Sequence, residues 1–236
     1  MPSALVTGGA VRLGRAMALH LARKGYGIAL HYHRSNEKAR AVLDEIERLG
    51  VQARGYPADF TDLAETVQLA KQAARDFPDL ELLVNSAANF IPQNVENTET
   101  ASLADTMNIN LLSPYLLMRD YKRWVNRGMV VNILDERVMK NIPTFAAYSV
   151  SKVGLEHLTR LAAVEWGERV RVNAIAPGLI LPPPGRGDEY LKREAEKIPL
   201  RTHGSTDDIC RALDYLLLSP FVTGETLFVD GGGSRA

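Results

Sequence analysis

A parallel, doubly wound α/β sheet with helices on both faces is the fold class that this 236-residue sequence predicts. Two observations lead to it. Short apolar runs alternate with longer segments whose apolar residues recur at helical spacing, and the connections between them are short. A turn punctuated by Gly8, Gly9 and Gly14 joins the first run to the first helical segment.

Taken in order, Ala4 to Thr7 reads as a strand and Arg12 to Lys24 as a helix, with Leu13, Met17 and Leu21 on one stripe and Gly25 and Gly27 as the stop. Ile28 to Tyr32 is the second strand. Asn36 is the expected N-cap of a helix that buries Ala39, Val42, Leu43, Ile46 and Leu49 and ends at Gly50. Val51 to Tyr56, a helix capped by Thr61 or Asp62 and running to about Asp76, and Leu80 to Asn85 continue the alternation. A long helix is expected from about Leu103 to Asn126, with Pro114 as a candidate break. Met129 to Leu134 is an almost unbroken apolar strand, followed by a helix from about Phe145 to Gly167 and a strand from Val170 to Ile175. The Pro- and Gly-rich stretch Leu181 to Gly187 is too irregular for an element, and with the helix Asp188 to Lys197 it is expected to form a lid at about 181–197. A helix capped by Thr206 runs to Leu218, and Thr226 to Val229 is the last strand. With no internal repeat or linker, a single domain over 1–236 is expected.

Twenty-eight basic and twenty-eight acidic residues leave no net charge, which argues against a general binder of nucleic acid or anionic membrane. One cysteine, Cys210, excludes an intrachain disulfide framework and a Cys-based metal site, and points to a reducing, cytoplasmic setting. The N-terminus has neither the basic nor the apolar region of a signal peptide, and no apolar run approaches membrane-spanning length. His20 and His157 have no partner at metal-ligand spacing and read as structural, so no metal is expected.

The segment 129–152 carries the expected chemistry. Tyr148 and Lys152 are four apart on a helix and share a face. An ammonium beside a phenol is expected to lower the tyrosine pKa and make a proton donor or acceptor usable near neutrality. Asp135 lies at the C-terminal end of a strand, where open α/β sheets place their ligands.

At the other end, Thr7-Gly8-Gly9-Ala10-Val11-Arg12-Leu13-Gly14 lets backbone N–H groups and a helix N-terminus face a pyrophosphate, although it is not G-x-G-x-x-G. The end of the second strand, where an acidic residue would bind a ribose 2′-hydroxyl, reads His33-Arg34-Ser35. Arg and Ser suit a 2′-phosphate, so NADPH is expected rather than NADH. Asp59 is placed to meet the adenine amino group.

The glycine turn, Asn85-Ser86-Ala87, Asn110, Tyr148 with Lys152, Pro177-Gly178 and the ending Phe221 to Thr226 then Val229-Asp230-Gly231-Gly232 occur in an order that resembles the short-chain dehydrogenase/reductase family over nearly the whole chain. The resemblance implies a seven-stranded Rossmann-type domain, a homotetramer built partly on the final helix and strand, and hydride transfer between NAD(P) and a carbonyl or imine. By position it makes Tyr148 the proton donor and Lys152 its partner and ribose ligand. Asn110 becomes the kink of the long helix and part of a water relay to Lys152. The implied cofactor surface takes Gly8, Arg12, Leu13 and Gly14 from the first turn, His33, Arg34 and Ser35 from the second strand end, and Asp59 and Phe60 from the third. Asn85, Ser86 and Ala87 follow, with Pro177, Gly178 and Leu179 bordering the nicotinamide.

Several residues depart from the common family pattern. Asp135 stands where most members have a serine, and Arg12 stands at the middle glycine of the turn. With Leu30 to Ser35, Ala88-Asn89-Phe90, Ala176 to Leu181 and Asp214 to Leu217, these are similar to the pteridine reductase branch, dihydromonapterin reductases included. That resemblance implies a pterin stacked on Phe90 and lined by Arg12, Asp135, Tyr148 and Leu181. A flat, electron-poor ring suits an aromatic face, and reduction of a ring C=N bond needs a proton at nitrogen as hydride reaches carbon. The alternatives are a general carbonyl or 3-oxoacyl reductase of the same family and a non-catalytic NADPH-binding protein.

Overall fold

The computed structural model describes residues 1–235. In chain order these form β1 (Ser3–Val6), α1 (Arg12–Arg23), β2 (Gly27–Tyr32), α2 (Asn36–Arg48), β3 (Ala53–Pro57), α3 (Leu63–Asp76), β4 (Leu80–Asn85), α4 (Thr100–Met107), α5 (Ser113–Trp124), β5 (Met129–Ile133), α6 (Ala146–Trp166), β6 (Arg171–Pro177), α7 (Asp188–Ala195), α8 (Thr206–Leu218) and β7 (Thr226–Val229). The described residues build one seven-stranded sheet of order β3-β2-β1-β4-β5-β6-β7, with every pairing parallel. The expected single α/β Rossmann-type domain is therefore observed.

Both faces of the sheet are buried because successive strand residues point to opposite sides. Ala4 and Val6 join the core with Met17, Leu21, Ile28 and Leu213, whereas Leu5 joins the opposite core with Phe77, Leu83, Leu117 and Met118. Helices α1, α2 and α8 cover the first side and α3, α5 and α6 the second. All strands run the same way, but the order in which they are added reverses between β1 and β4, and this opens a crevice at the C-terminal strand ends, the usual ligand position in such sheets. A polar stitch runs beneath it. Asn85 and Asn132 are register partners; Asn85 Nδ2 donates to Asn132 Oδ1 at 2.8 Å, and Asn132 Nδ2 to Thr159 Oγ1 at 2.9 Å. The stitch locks β4, β5 and α6 together.

Five local expectations are corrected. The long helix starts at Thr100 rather than Leu103, and its interruption is a π-helical turn, Asn108–Leu112, rather than a break at Pro114. Pro114 is accommodated because its missing N–H falls in the first turn of α5. Ser35, not Asn36, occupies the N-cap position of α2, without a side-chain bond. Ser205, not Thr206, caps α8 through a capping box with Asp208. The helix expected to reach Lys197 ends at Ala195. Of the two alternatives for α3, Asp62 is the cap, accepting from the Ala64 N–H.

Candidate active site

The glycine turn sits where β1 feeds α1. Gly8 has φ +65°, and a methyl group on Gly14 would overlap the Gly8 carbonyl, so the absence of side chains brings the N-terminus of α1 against the turn. Val11 gives α1 no side-chain cap, and its first turn holds Arg12 and Arg15 but no acid. A positive helix end carrying two cations is complementary to an anion. Arg12 adopts φ +50°, the region in which a glycine would be unstrained. Its Nη2 donates to the Pro182 carbonyl at 3.0 Å, tying the turn to the segment 181–187. Leu13 and Leu181 are half-buried and pack against the α1-side core.

Two residues outside the expected set brace this turn. His31 is buried on β2; its Nδ1 accepts from the Gly8 N–H at 3.1 Å, which leaves Nε2–H to donate to the Ala58 carbonyl at 3.1 Å. Burial holds its pKa down, to about 4 from an ordinary 6.5. Its ring stacks on Phe60, with centroids 4.0 Å apart. The Phe60 side chain is therefore committed to the core, 4% exposed, at the base of the turn. Thr7 Oγ1 accepts from the N–H groups of Ser86 and Ala87 at 2.9 and 3.0 Å and so shapes the second turn of the crevice. The signal for both was a polar residue in an otherwise apolar strand or strand end.

At the rim, Arg34 is exposed and Ser35 half-buried. His33 Nε2 lies 3.1 Å from Asp59 Oδ2, while Asp59 Oδ1 accepts from the Thr61 N–H and hydroxyl. These hydrogen bonds, with His33 and Arg34 nearby, lower the Asp59 pKa. Pro177 ends β6, Gly178 presses its backbone against Asp230 where no Cβ would fit, and Leu179 is half-buried beside it.

The second half of the crevice holds the titratable groups. Asp135 caps the 3-10 turn Glu136–Met139 by accepting from the Arg137 N–H through Oδ1, at 2.8 Å. Its Oδ2 accepts from the Tyr148 hydroxyl at 2.9 Å. Lys152, 3% exposed, donates from Nζ to the Ile133 carbonyl at 2.7 Å and lies 5.7 Å from the centre of the Tyr148 ring. Lys152 thus lies near the Tyr148 ring as expected, and what is corrected is the expected lowering of the Tyr148 pKa. Burial, and then the Asp135 charge, raises the Tyr148 pKa well above its ordinary value. Burial lowers the Lys152 pKa to about 8, with Asp135 opposing. Tyr148 is held protonated, with its hydroxyl on a carboxylate.

Asn110 is fully buried inside the π-helical turn, as expected of a kink. Its side chain is spent on the Asn89 N–H and carbonyl and on Ser151 Oγ, and makes no bond to Lys152. It pins the segment bearing Phe90 to the helix bearing Tyr148. Phe90 is 46% exposed and meets Tyr148 edge-on at 4.7 Å. Two further residues gather here. Phe145 stacks on Phe90 with centroids 4.0 Å apart, and the Arg137 guanidinium lies 4.7 Å from the Phe145 centroid and 5.5 Å from that of Phe90. Among the described residues no cluster of metal-ligating side chains occurs.

Comparison with known proteins identifies the family of the chain. A short-chain dehydrogenase sequence model described as enoyl-(acyl carrier protein) reductase matches residues 9–234. An uncharacterized oxidoreductase of Mycobacterium tuberculosis is 37% identical, covering 97% of this chain and 90% of its own length. The 3-oxoacyl-[acyl-carrier-protein] reductase of Staphylococcus aureus is 32% identical, over 98% of this chain and 97% of its own. Among solved structures, the FolM alternative dihydrofolate reductase of Brucella suis in complex with NADP superimposes with a TM-score of 0.93 at 34% identity, over 100% of this chain and 96% of that one. From the sheet order, the Tyr148–Lys152 pair and these relatives together, the chain belongs to the short-chain dehydrogenase/reductase family of oxidoreductases.

Proposed function

We propose that this oxidoreductase uses NADPH to reduce a pterin, dihydropterin to tetrahydropterin, with dihydromonapterin or dihydrobiopterin as the substrate type. The observation that carries the reading is the Tyr148 hydroxyl bonded to Asp135, with the Phe90 ring packed at right angles to the Tyr148 ring. A carboxylate–phenol pair suits protonation of a ring nitrogen, and a half-exposed aromatic ring suits contact with a flat heterocycle. The Brucella suis relative, an alternative dihydrofolate reductase, supports the same direction.

The first turn fits a dinucleotide phosphate, since its helix end is uncapped, carries arginines and has no acid. Gly8, Gly14 and Arg12 would hold the pyrophosphate, Arg34 and Ser35 the 2′-phosphate, and Asp59 the adenine. Ser86, Ala87, Pro177, Gly178, Leu179 and Lys152 would border the nicotinamide end. When bound, the nicotinamide supplies a hydride to the ring carbon of the C=N bond. Tyr148, protonated at neutral pH because of its burial and Asp135, gives the proton to the ring nitrogen, and Asp135 and Lys152 manage its replacement. The segment 181–197 would serve as a lid, with Leu181 against the substrate and Arg12 as its tether.

A homotetramer in the cytoplasm completes the proposal. Leu218 at 80% exposed, the fully exposed Phe221 and Val164 at 89% are apolar surface that a monomer would leave in water. The test is NADPH oxidation with dihydrobiopterin or dihydromonapterin; no turnover of any pterin would overturn the substrate assignment. A second reading, reduction of a 3-oxoacyl group, draws on the Staphylococcus aureus relative. It would win if an acetoacetyl thioester were turned over faster than the pterin. Unchanged turnover in Tyr148→Phe, where a loss of about a hundredfold or more is expected, would remove Tyr148 from the chemistry.

A further inference from the structure

Arg137 stands two residues beyond Asp135, and the reaction as described uses no group of its side chain. Its backbone N–H and its guanidinium both turn to one carboxylate oxygen: the N–H reaches Asp135 Oδ1 at 2.8 Å, and Nε lies 3.8 Å from the same atom. The other oxygen holds the Tyr148 hydroxyl. The guanidinium rests against the stacked Phe145 and Phe90 rings. Its Nη1 is buried and has no hydrogen-bond partner. An unpaired buried N–H is unfavourable, and what offsets it in this place is the Asp135 charge and two aromatic faces.

We infer that Arg137 is a positioning residue, the permanent positive charge that keeps Asp135 an acceptor for the Tyr148 hydroxyl while the aromatic shelf holds that charge in place. The other charged groups facing the pair do not replace it. Lys152, from α6, is spent on the Ile133 carbonyl, and burial brings its titration to about pH 8. Glu136 turns away to Lys140 at 3.0 Å. A guanidinium keeps its charge across the working pH range, so the site retains a cation after Lys152 becomes neutral. Arg137 also opposes the rise in the Tyr148 pKa. The inference rests on the proton roles of Asp135 and Tyr148, and is independent of which acceptor is reduced.

The test compares Arg137→Met and Arg137→Lys by the pH dependence of kcat/KM, using NADPH and whichever acceptor the wild type reduces, a dihydropterin or an acetoacetyl thioester. Losing a cation beside the pair is expected to move both limbs of the Met variant's profile up by about one pH unit, with Lys restoring their position. A profile that falls evenly at every pH with its limbs unmoved would reduce Arg137 to packing and overturn the inference. A substrate-free arm uses urea unfolding midpoints of Asp135→Asn in the wild-type and Arg137→Met backgrounds. The loss caused by Asp135→Asn should shrink when Arg137 is gone; equal losses overturn the inference even if no acceptor is turned over. Arg137→Gln replaces Met in both arms if the Met variant does not fold. Turnover of the thioester alone would end the pterin reading while leaving Arg137 to be judged by its limbs.

Discussion

Lys152→Met isolates the cost of placing an ammonium under the active site. Lys152 is sealed from solvent, with one hydrogen bond, to the Ile133 carbonyl. Its pKa falls from an ordinary 10.5 to about 8, first through burial, which corresponds to about 3 kcal/mol of differential interaction between its two protonation states. Because the folded value lies below the unfolded one, the unfolded chain binds the proton more tightly between pH 8 and 10.5. Wild-type stability should therefore rise by about 3 kcal/mol as pH climbs through that window, and the cost is fully present at pH 7. Methionine fills similar space without a charge, so this contribution disappears. At pH 7 the variant gains that amount less the penalty of an unpaired Ile133 carbonyl, about 1–3 kcal/mol. It should be equal to the wild type or up to about 2 kcal/mol more stable, although without Lys152 it is expected to be inactive. Urea midpoints of both chains from pH 7 to pH 10.5 check this, since other titrating groups cancel in the difference. Parallel curves would show that Lys152 is not depressed, and the reasoning would fail.

Arg34→Ala should raise the KM for NADPH about tenfold or more, the worth of a charge-assisted hydrogen bond, and leave that for NADH nearly unchanged; steady-state kinetics with both cofactors decides, and equal effects would refute the 2′-phosphate role. His31, held down to about pH 4 by burial, should cost the wild type stability progressively as pH falls from 6.5 to 4, by about 3 kcal/mol in all. His31→Asn should flatten that part of the wild-type curve, as read by urea unfolding. Gly14→Ala drives a methyl group into the Gly8 carbonyl, so a loss of about 1–3 kcal/mol is expected, with weaker NADPH binding measured by fluorescence titration.

Much of the site was legible because its signals are local. Glycines before a helix, a Tyr and a Lys one turn apart, and an acid at a strand end each follow from one stretch of chain. The helix caps were displaced by a residue at Ser35 and Ser205 because neighbouring polar residues compete for one role. Local spacing pointed to Pro114 for the interruption of the long helix, and only the family resemblance pointed to Asn110, because the cause is distant: Asn110 is bonded to Asn89 and Ser151, across two other elements. Likewise, the sequence showed His31 in an apolar strand but not that Gly8 and Ala58 converge on it.

Period and order along the chain thus determined by themselves the parallel doubly wound sheet, the two ends of the crevice and the set of residues brought to it. Only the tertiary structure decided which way the chemistry of that set runs. Spacing alone put an ammonium beside Tyr148 and predicted a lowered pKa. Burial and Asp135 instead keep its proton on, while Lys152 turns to a main-chain carbonyl. A pKa depends on desolvation and on charges a few ångströms away in space, and those are properties of the packed fold rather than of any one segment.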